Sequence, residues 1–580
     1  MFMKNEDHEQ EPLFSPVKDL PSAPKKKLQN HWSTHFYEHF FTQIDEEKFT
    51  DLYHEGYSRP NKPVNELVSL AILKHLMNLS DEELEHAYLF DFRVRNALGK
   101  EALGDNICPK TFTNFRRRLL EYEEKTGRDL MQEVFEEHRS YLMKEFDIDA
   151  STQRMDSTFL EANIKQLTRL DLLGTVVHNF LTDLSETQLQ DLPDGIGEFA
   201  ELENLELSYD VTAEEARPMM ETLAEYATWL ADRFEDEAAY TDLDSFAHLQ
   251  RVLDEQCYRI AELEADSEER GEEDNDDDDD DSPGWEPIRS FSSNREDTEQ
   301  DADDGEGEGA QPHAELKDPE EIDSGSLQNP HDDEATYRSK HGEEHYGYKV
   351  NLAETCGGEN PFRLITTVRV DTNNTNDGDL LETDVEDLAM ETGLLDLLHD
   401  GGYTDQEVET YCSEFGITQH FTGITGTPPP EGTLSLAEFD WDGQELLACP
   451  AGHEPLMQSQ SEKGRVSFRM AKEHCEGCEY QDRCYVEEKQ QFYSYGFWER
   501  KLAIAKRRAR LEDPASQAFL NQRAGAESMI NEVFHKTGQR TRFTGTPKVK
   551  NASIATAIGT NLKRVSRHLN EEADPSRAAA

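Results

Sequence analysis

Three acidic residues sit in settings that suit carboxylate chemistry: Asp156 in RMDSTFLEAN, Asp400 in LLDLLHDGGY and Glu527 in NQRAGAESMINEVF. The first two belong to apolar, strand-like runs. The third lies in a helical stretch within the most basic part of a very acidic chain. Carboxylates gathered from separate elements hold divalent cations, and such cations drive in-line attack at phosphodiesters. Three of them could hold two Mg²⁺ or Mn²⁺ ions about 4 Å apart. Taken singly, each has another explanation: Asp156 as a helix cap, Asp400 as a turn residue before Gly401 and Gly402, Glu527 as half of a surface ion pair.

A second constellation is Cys449, Cys475, Cys478 and Cys484, in CPAGHE and HCEGCEYQDRC. Cys475 and Cys478 have metal-knuckle spacing, and four thiolates would complete a tetrahedral Zn²⁺ site, with His453 and His474 as spare ligands. The alternative is four reduced, partly buried thiols. Cys108, Cys257, Cys356 and Cys412 are isolated, and eight cysteines in 580 residues make no disulfide scaffold.

The elements that must position these groups can be read along the chain. Residues 1–30 are polar and expected to be flexible. Residues 31–148 read as an all-α module for DNA binding or dimerisation. Leu67, Leu70, Leu73 and Leu76 recur every three residues there, and Ser80 with Glu83 forms a capping box. Arg116, Arg117 and Arg118 lie together in its last part and are candidate DNA contacts. A strand follows in 149–165, then amphipathic helices over 166–265. An acidic linker over 266–340 contains GEEDNDDDDDDSPG and is expected to be disordered.

Strands and helices resume over 341–427, where YGYKVNLAET and FRLITTVRVD flank the turn CGGENP. The cysteine-bearing insert occupies 428–495. Late helices and a basic tail fill 496–570, and 571–580 are expected to be disordered. Strand, hairpin pair, helix, strand, helix, strand and late helix is the order of an α/β RNase H-like domain. Here that domain follows an N-terminal all-α helical module and is interrupted by two insertions. In that architecture Asp156 and Asp400 would face one another on adjacent strands, and the late helix would bring Glu527 to the same point. The aromatics of QQFYSYGFWERK are expected to pack the insert onto the catalytic domain, with base stacking as the alternative.

Charge narrows the partners. The formal net charge is −65. Residues 261–330 contribute −24 of it, so the acidity extends through the folded parts. With 25 Lys against 33 Arg, this composition points to a cytoplasm with molar salt, where a hydrated acidic surface stays soluble. Residues 497–570 reverse the sign, with 15 Lys and Arg against 5 Asp and Glu. A basic island in such a chain implies a polyanionic partner, and Arg507 and Arg508 are among its candidate contacts. No apolar run is long enough to span a bilayer. The N-terminus, MFMKNEDHEQEPLF, lacks the apolar core of a secretory signal. A cytoplasmic protein is expected.

Several ordered segments together resemble the DDE transposases of prokaryotic insertion sequences. YSRPNKPVNELVSLAILKHL and CPKTFTNFRRRL are similar to that family's N-terminal domain, and DSTFLEAN resembles the segment around its first Asp. YGYKVNLAE resembles the next strand, and TNNTNDGDLL resembles the loop and helix start after the following strand. LLHDGGYTDQE resembles the second Asp segment, and QRAGAESMINEVFHKTGQRTRFTGTPKVKNASIATAIGTNLKR the Glu segment with its basic continuation. The resemblance implies metal-dependent cleavage of double-stranded DNA at element ends and strand transfer into a target, by a homo-oligomer with no small-molecule substrate. It carries Asp156, Asp400 and Glu527 over as metal ligands. Arg523, one helical turn before Glu527, is on the right face to hold a phosphate. Lys536, Arg540 and Arg542 are DNA-contact candidates by charge. A nuclease that cuts without joining, or a DNA-binding regulator with a retired site, are the competing expectations.

Overall fold

The computed structural model describes residues 2–6, 20–53, 60–100, 106–202, 205–209, 211–258, 314–340, 342–404, 406–423, 430, 432–442, 445–461, 464–512 and 514–573. The chain divides into two compact units, residues 1–163 with 338–580, and residues 164–337.

In the first unit the N-terminal part is all-helical. Its main helices are α1 (Val64–Met77), α2 (Asp81–Phe90), α3 (Pro109–Thr126) and α4 (Leu130–Glu145). Leu67, Leu70, Leu73 and Leu76 of α1 are all buried. Glu66, buried among them, is satisfied by the Tyr88 hydroxyl at 3.1 Å and the Lys100 ammonium at 2.9 Å. Asn78 ends α1 in the left-handed conformation, and the expected capping box forms, Glu83 N donating to Ser80 at 3.1 Å and Ser80 N to Glu83 at 2.8 Å. The first thirty residues, expected to be flexible, are partly built in. Ser22–Gln29 is helical. Asn5 is buried, bonded to Glu46 at 2.9 Å and Asn65 at 3.0 Å. Those two polar groups lie inside the module and require a partner. Residues 7–19 lie outside the described residues.

The sheet that follows comprises β1 (Thr152–Glu161), β2 (Thr336–Lys340), β3 (Glu343–Thr355), β4 (Ile365–Thr372), β5 (Asp396–His399) and β6 (Thr418–Phe421). The strand path is β2-β3-β1-β5-β6, with β4 also paired to β3. β3 runs antiparallel to β1 and β4, whereas β1, β5 and β6 are parallel neighbours. On one face, helices α5 (Asp377–Asp387) and α6 (Gln406–Glu414) cover a core of Met155, Ala353, Leu381, Val385, Leu397, Tyr403 and Val408. Side chains alternate along a strand, so Arg154 and Asp156 point away from the Met155 core. That opposite face receives the late helices α8 (Pro514–Arg523), α9 (Ala526–Phe534) and α10 (Thr546–Ala573), whereas α7 (Glu499–Glu512) packs on the insert that precedes it.

The region expected as a basic tail is thus largely one long helix, and helix extends to Ala573, past the expected onset of disorder at 571. Burial explains it: Val549, Ile554, Ile558, Leu562 and Val565 give α10 an apolar face. Asn561 bonds both peptide groups of Ile365, at 2.9 and 3.0 Å. Residues 574–580 lie outside the described residues.

The insert between β6 and α7 carries a small four-stranded sheet, with Phe439, Phe468, Tyr493 and Phe497 in its core. The QQFYSYGFWERK aromatics therefore pack within the insert, with Trp498 left 40% exposed.

The second unit is helical, with Arg169–Asp183, Ala213–Phe234 and Asp244–Gln256 sharing a core of Leu173, Phe180, Leu230, Phe234, Phe246 and Leu249. Of the expected acidic linker, 266–340, residues 314–340 are described. Residues 314–340 are ordered because Leu316 and Leu327 anchor in this helical core, and Glu315–Leu316 pairs with Cys257–Tyr258. Residues 259–313, including the polyaspartate run, lie outside the described residues. Among the described residues no helix is long and apolar enough to cross a membrane.

Candidate active site

The parallel pairing of β1 and β5 matches Thr152 to Asp396, Gln153 to Leu397 and Arg154 to Leu398. Carried two residues further, the same register sets Asp156 opposite Asp400. The two carboxylates meet through a shared cation. One guanidinium nitrogen of Arg523 lies 3.6 Å from Asp156 Oδ2 and 3.9 Å from Asp400 Oδ2. Burial raises the Asp156 carboxyl to about 6, and repulsion from Asp400 and Asp377 adds to the rise while Arg523 opposes it. Asp400 Oδ1 accepts the Gly402 N–H at 2.8 Å. His399, next to it, is buried and pushed down to about 4, so it is neutral.

Arg523 is placed by a buried ionic network two residues up β1. Arg154 is 2% exposed at its side chain and is paired with Glu354 of β3, which is fully buried. Arg154 also donates to the Gln522 carbonyl at 2.6 Å, pinning the end of α8. Arg564 of α10 forms ion pairs with the other Glu354 oxygen and with Glu532 of α9, each at 2.7 Å. Gly525, between α8 and α9, lies against the Arg154 guanidinium so closely that a Cβ would come within 2.2 Å of it. The turn joining Arg523 to Glu527 is therefore clamped to the strand that bears Asp156.

Glu527 is in the first turn of α9, whose buried side is Ala526, Met529, Ile530, Val533 and Phe534. The carboxylate itself is exposed and has no ion-pair or hydrogen-bond partner among the described residues. Asp156 and Asp400 are thus brought together, and Glu527 joins them only through the α8–α9 turn. Among the described residues, no three Cys, His, Asp or Glu side chains are disposed to hold a metal ion as they stand. The carboxylate pair nonetheless fits a hard divalent cation in donor type and in already sharing a positive partner.

Asp400 opens onto a cleft of about 1450 Å³. Its walls include Asp377, Asp379, Glu382, Glu407 and Glu499 from the acidic side, and Arg338, Lys340 and Arg500 from the basic side. Sequence reading missed Asp377, which accepts hydrogen bonds from Ser157 and Lys349, and it missed the Arg154–Glu354–Arg564 network. The available signals were the unusually polar NDGD before a helix and an Arg inside an apolar strand.

Cys449, Cys475, Cys478 and Cys484 line one small apolar chamber with His453 and His474, whose rings stack at 4.1 Å. Two turns feed it, and each has a glycine in the left-handed region, Gly452 at φ 81° and Gly477 at φ 77°. Burial pushes the Cys475 thiol up to about 11, and its three neighbours add to that. The four thiols share this chamber and are the donor type that Zn²⁺ takes, although as they stand they do not form a closed metal site.

The basic candidates separate into surface, groove and interior. Arg117 pairs with Glu121 at 2.6 Å on the surface, and Arg118 lies 5.0 Å over the Tyr53 ring. Arg116 is held by Asp81. Lys536 donates to the Leu76 carbonyl. Arg508 is close enough to Tyr485 to influence its hydroxyl. Arg507 is buried on Glu409 at 2.9 Å, a structural ion pair rather than the DNA contact expected. Arg540 and Arg542 line a groove of about 310 Å³ with Lys74 and Arg116. The loop bearing them is bonded to the end of β1, Glu161 N to Gln539 O and Thr541 N to Glu161 O, both 2.9 Å. Positive charge is concentrated there: burial, then Lys74, Arg116 and Arg542, take His75 down to about 3.

Two families match the chain. The family described as Transposase DDE domain matches residues 448–566, which contain the four cysteines, Arg523, Glu527, Arg540 and Arg542. The family described as Transposase domain (DUF772) matches residues 25–118, which contain α1, α2 and the three consecutive arginines. Asp156 and Asp400 fall outside both spans and rest on the strand geometry. No curated protein and no solved structure matches the chain. A transposase domain matched over 25–118 and a transposase DDE domain matched over 448–566 together support a DDE transposase of an insertion sequence, and the DDE domain indicates a metal-dependent enzyme acting on DNA.

Proposed function

We propose that Asp156, Asp400 and Glu527 form the metal site at which the ends of an insertion sequence are cut and joined to target DNA. The observation that carries this is the single guanidinium of Arg523 shared by Asp156 and Asp400 on neighbouring parallel strands. The strand path, with an antiparallel hairpin on one side of β1 and two parallel strands on the other, supports reading the sheet as RNase H-like. Mg²⁺ or Mn²⁺, as two ions, is the cofactor this donor set suits.

Divalent cations bound there would activate the attacking oxygen and stabilise the leaving one. The chain's own part is positional. Asp156 and Asp400 hold the positive charge at the mouth of the cleft. With the carboxylates occupied by a divalent cation, Arg523 at the end of α8 would be free to hold the scissile phosphate. Glu527, one helical turn on, closes the site from α9. In cleavage, water attacks phosphorus and the 3′ oxygen leaves; in joining, that 3′ hydroxyl attacks a target phosphate and a second 3′ oxygen leaves. No protein–DNA bond forms.

Duplex DNA backbone is assigned to the groove of Lys74, Arg116, Arg540 and Arg542, with Arg117, Arg118 and Lys536 as further contacts and Arg508, beside Tyr485 of the insert, as a separate one. The four cysteines are read as a structural Zn²⁺ staple for the insert. Because two ends must be joined, a homo-oligomer is the working form.

The deciding experiment is cleavage of labelled DNA from the flanks of the gene, in molar KCl with Mg²⁺ or Mn²⁺. Metal-dependent cutting, lost in Asp156→Ala, Asp400→Ala and Glu527→Ala, is expected. Binding without cutting by the wild type, or equal cutting by the variants, would overturn the assignment.

A further inference from the structure

We propose that Asp377 is a further carboxylate of this same metal site, held in place by Lys349 and Ser157 and offering its free oxygen to a divalent cation shared with Asp400. The inference rests on the metal-site reading above and adds a ligand to it.

Asp377 stands in the first turn of α5, directly after the Asn376 cap. Its two oxygens have different surroundings. Oδ1 takes both donors within reach, the Ser157 hydroxyl at 2.6 Å and the Lys349 ammonium at 2.7 Å. Ser157 adjoins Asp156 on β1, and Lys349 comes from β3, where it pairs opposite Phe159. Lys349 is itself fixed by the Thr375 carbonyl at 2.9 Å, and its side chain is only 3% exposed. The strand that bears Asp156 and its antiparallel neighbour thus converge on one oxygen.

Oδ2 has no donor among the described residues, and it faces Asp400. A Cβ built on Gly402 would lie 2.9 Å from Asp377 Oδ2 and 3.0 Å from Asp400 Oδ1. The two oxygens flank one small space, kept open because residue 402 has no side chain, and both residues line the cleft. A carboxylate serving only as the counterion of Lys349 would have no reason to aim its second oxygen at another carboxylate, since like charges at short range oppose each other. The charge count points the same way. Asp156 and Asp400 share Arg523, and Asp377 holds Lys349, so three carboxylates have two cations in direct contact, with Arg338 and Lys340 farther along the cleft wall. A divalent cation makes up the deficit and relieves the repulsion.

The test is Mn²⁺ binding to the full-length protein, followed by calorimetry or by Mn²⁺ electron spin resonance without DNA. The variants are Asp377→Asn, Gly402→Ala, Asp156→Asn and, as a cleft control, the exposed Asp379→Asn. Asp377→Asn keeps an oxygen for Lys349 and Ser157, so the fold should survive, which thermal melting checks. Gly402→Ala alters no charge and requires no left-handed backbone; it puts a methyl between the two oxygens. Asp377→Asn and Gly402→Ala should each weaken Mn²⁺ binding by tenfold or more, and cleavage by Asp377→Asn should recover as Mn²⁺ is raised. Asp379→Asn should bind as the wild type does. If Asp377→Asn and Gly402→Ala bind Mn²⁺ normally while Asp156→Asn does not, Asp377 is only a counterion and the proposal falls. If Asp156→Asn also binds normally, the metal-site reading itself fails.

Discussion

Two charged clusters lie two residues apart on β1, and they are built in opposite ways. Around Arg154 every strong charge is answered: Glu354 lies between Arg154 and Arg564, and Arg564 reaches on to Glu532 at 2.7 Å. Around Asp156 the pairing is loose. Arg523 is 3.6 and 3.9 Å from its two carboxylates, Asp377 leaves an oxygen unanswered, and Glu527 is exposed. A buried charge without its partner is costly, so a saturated network is what a fold can keep as structure. An unsaturated one at the mouth of a cleft is what it keeps for a ligand. On the function proposed above, the looser pairing at Asp156 marks the working site.

Substitutions should pull the two clusters apart. The largest effect is expected on catalysis: Asp156→Asn or Asp400→Asn should lower DNA-end cleavage by about 10³-fold or more. Metal-free Asp156→Asn should melt no lower than the wild type, because burial disfavours the charge it removes. A large fall in melting temperature would erase the contrast. The converse is Glu354→Gln, which strands two buried guanidinium groups and should cost about 3–5 kcal/mol in denaturant unfolding. A cost below ~1 kcal/mol would mean that the network is not what holds α8 and α9 on the sheet.

A middle-sized effect is expected away from both clusters. Arg540→Ala and Arg542→Ala should each weaken DNA binding roughly tenfold and flatten its dependence on salt by about one unit of log–log slope. Cleavage of DNA supplied at saturation should change little. The smallest effect is a slope with pH. Asp156 is raised in the folded protein, so between about pH 4 and 6 the folded state holds a proton that the unfolded chain has released. Stability of the metal-free protein should therefore fall as pH rises through that window, and the fall should be shallower in Asp156→Asn. Equal slopes would show that the carboxyl is solvated after all.

Much of this arrangement was legible in the chain. Apolar, strand-like runs located the strands at Asp156 and Asp400, and the order of elements was enough to bring them side by side. Glu527 was less legible, because its helix could be read but not the turn that orients it. That turn depends on Gly525 meeting Arg154, which is 371 residues away in the sequence, and no local pattern announces such a contact. Asp377 was hidden for a related reason: an Asp at a helix start is ordinary, and only Lys349 and Ser157, from two other strands, distinguish it. Arg507 erred the other way. Its place in a basic run suggested DNA, whereas Glu409 draws it inside. Leu316 and Leu327 show that two apolar residues can order the end of an otherwise acidic stretch.

The separation of those contacts along the chain has a consequence during synthesis. Arg154 meets Glu354 across 200 residues and the Gln522 carbonyl across 368. At roughly 5–20 residues per second, β1 leaves the ribosome about ten to forty seconds before its antiparallel partner, and longer still before α8. The intervening unit, with a core of its own, can fold in that interval. On the proposed site, the nascent chain has neither Arg523 nor Glu527 until α8 and α9 are made, so products truncated before them would not cut the DNA beside them.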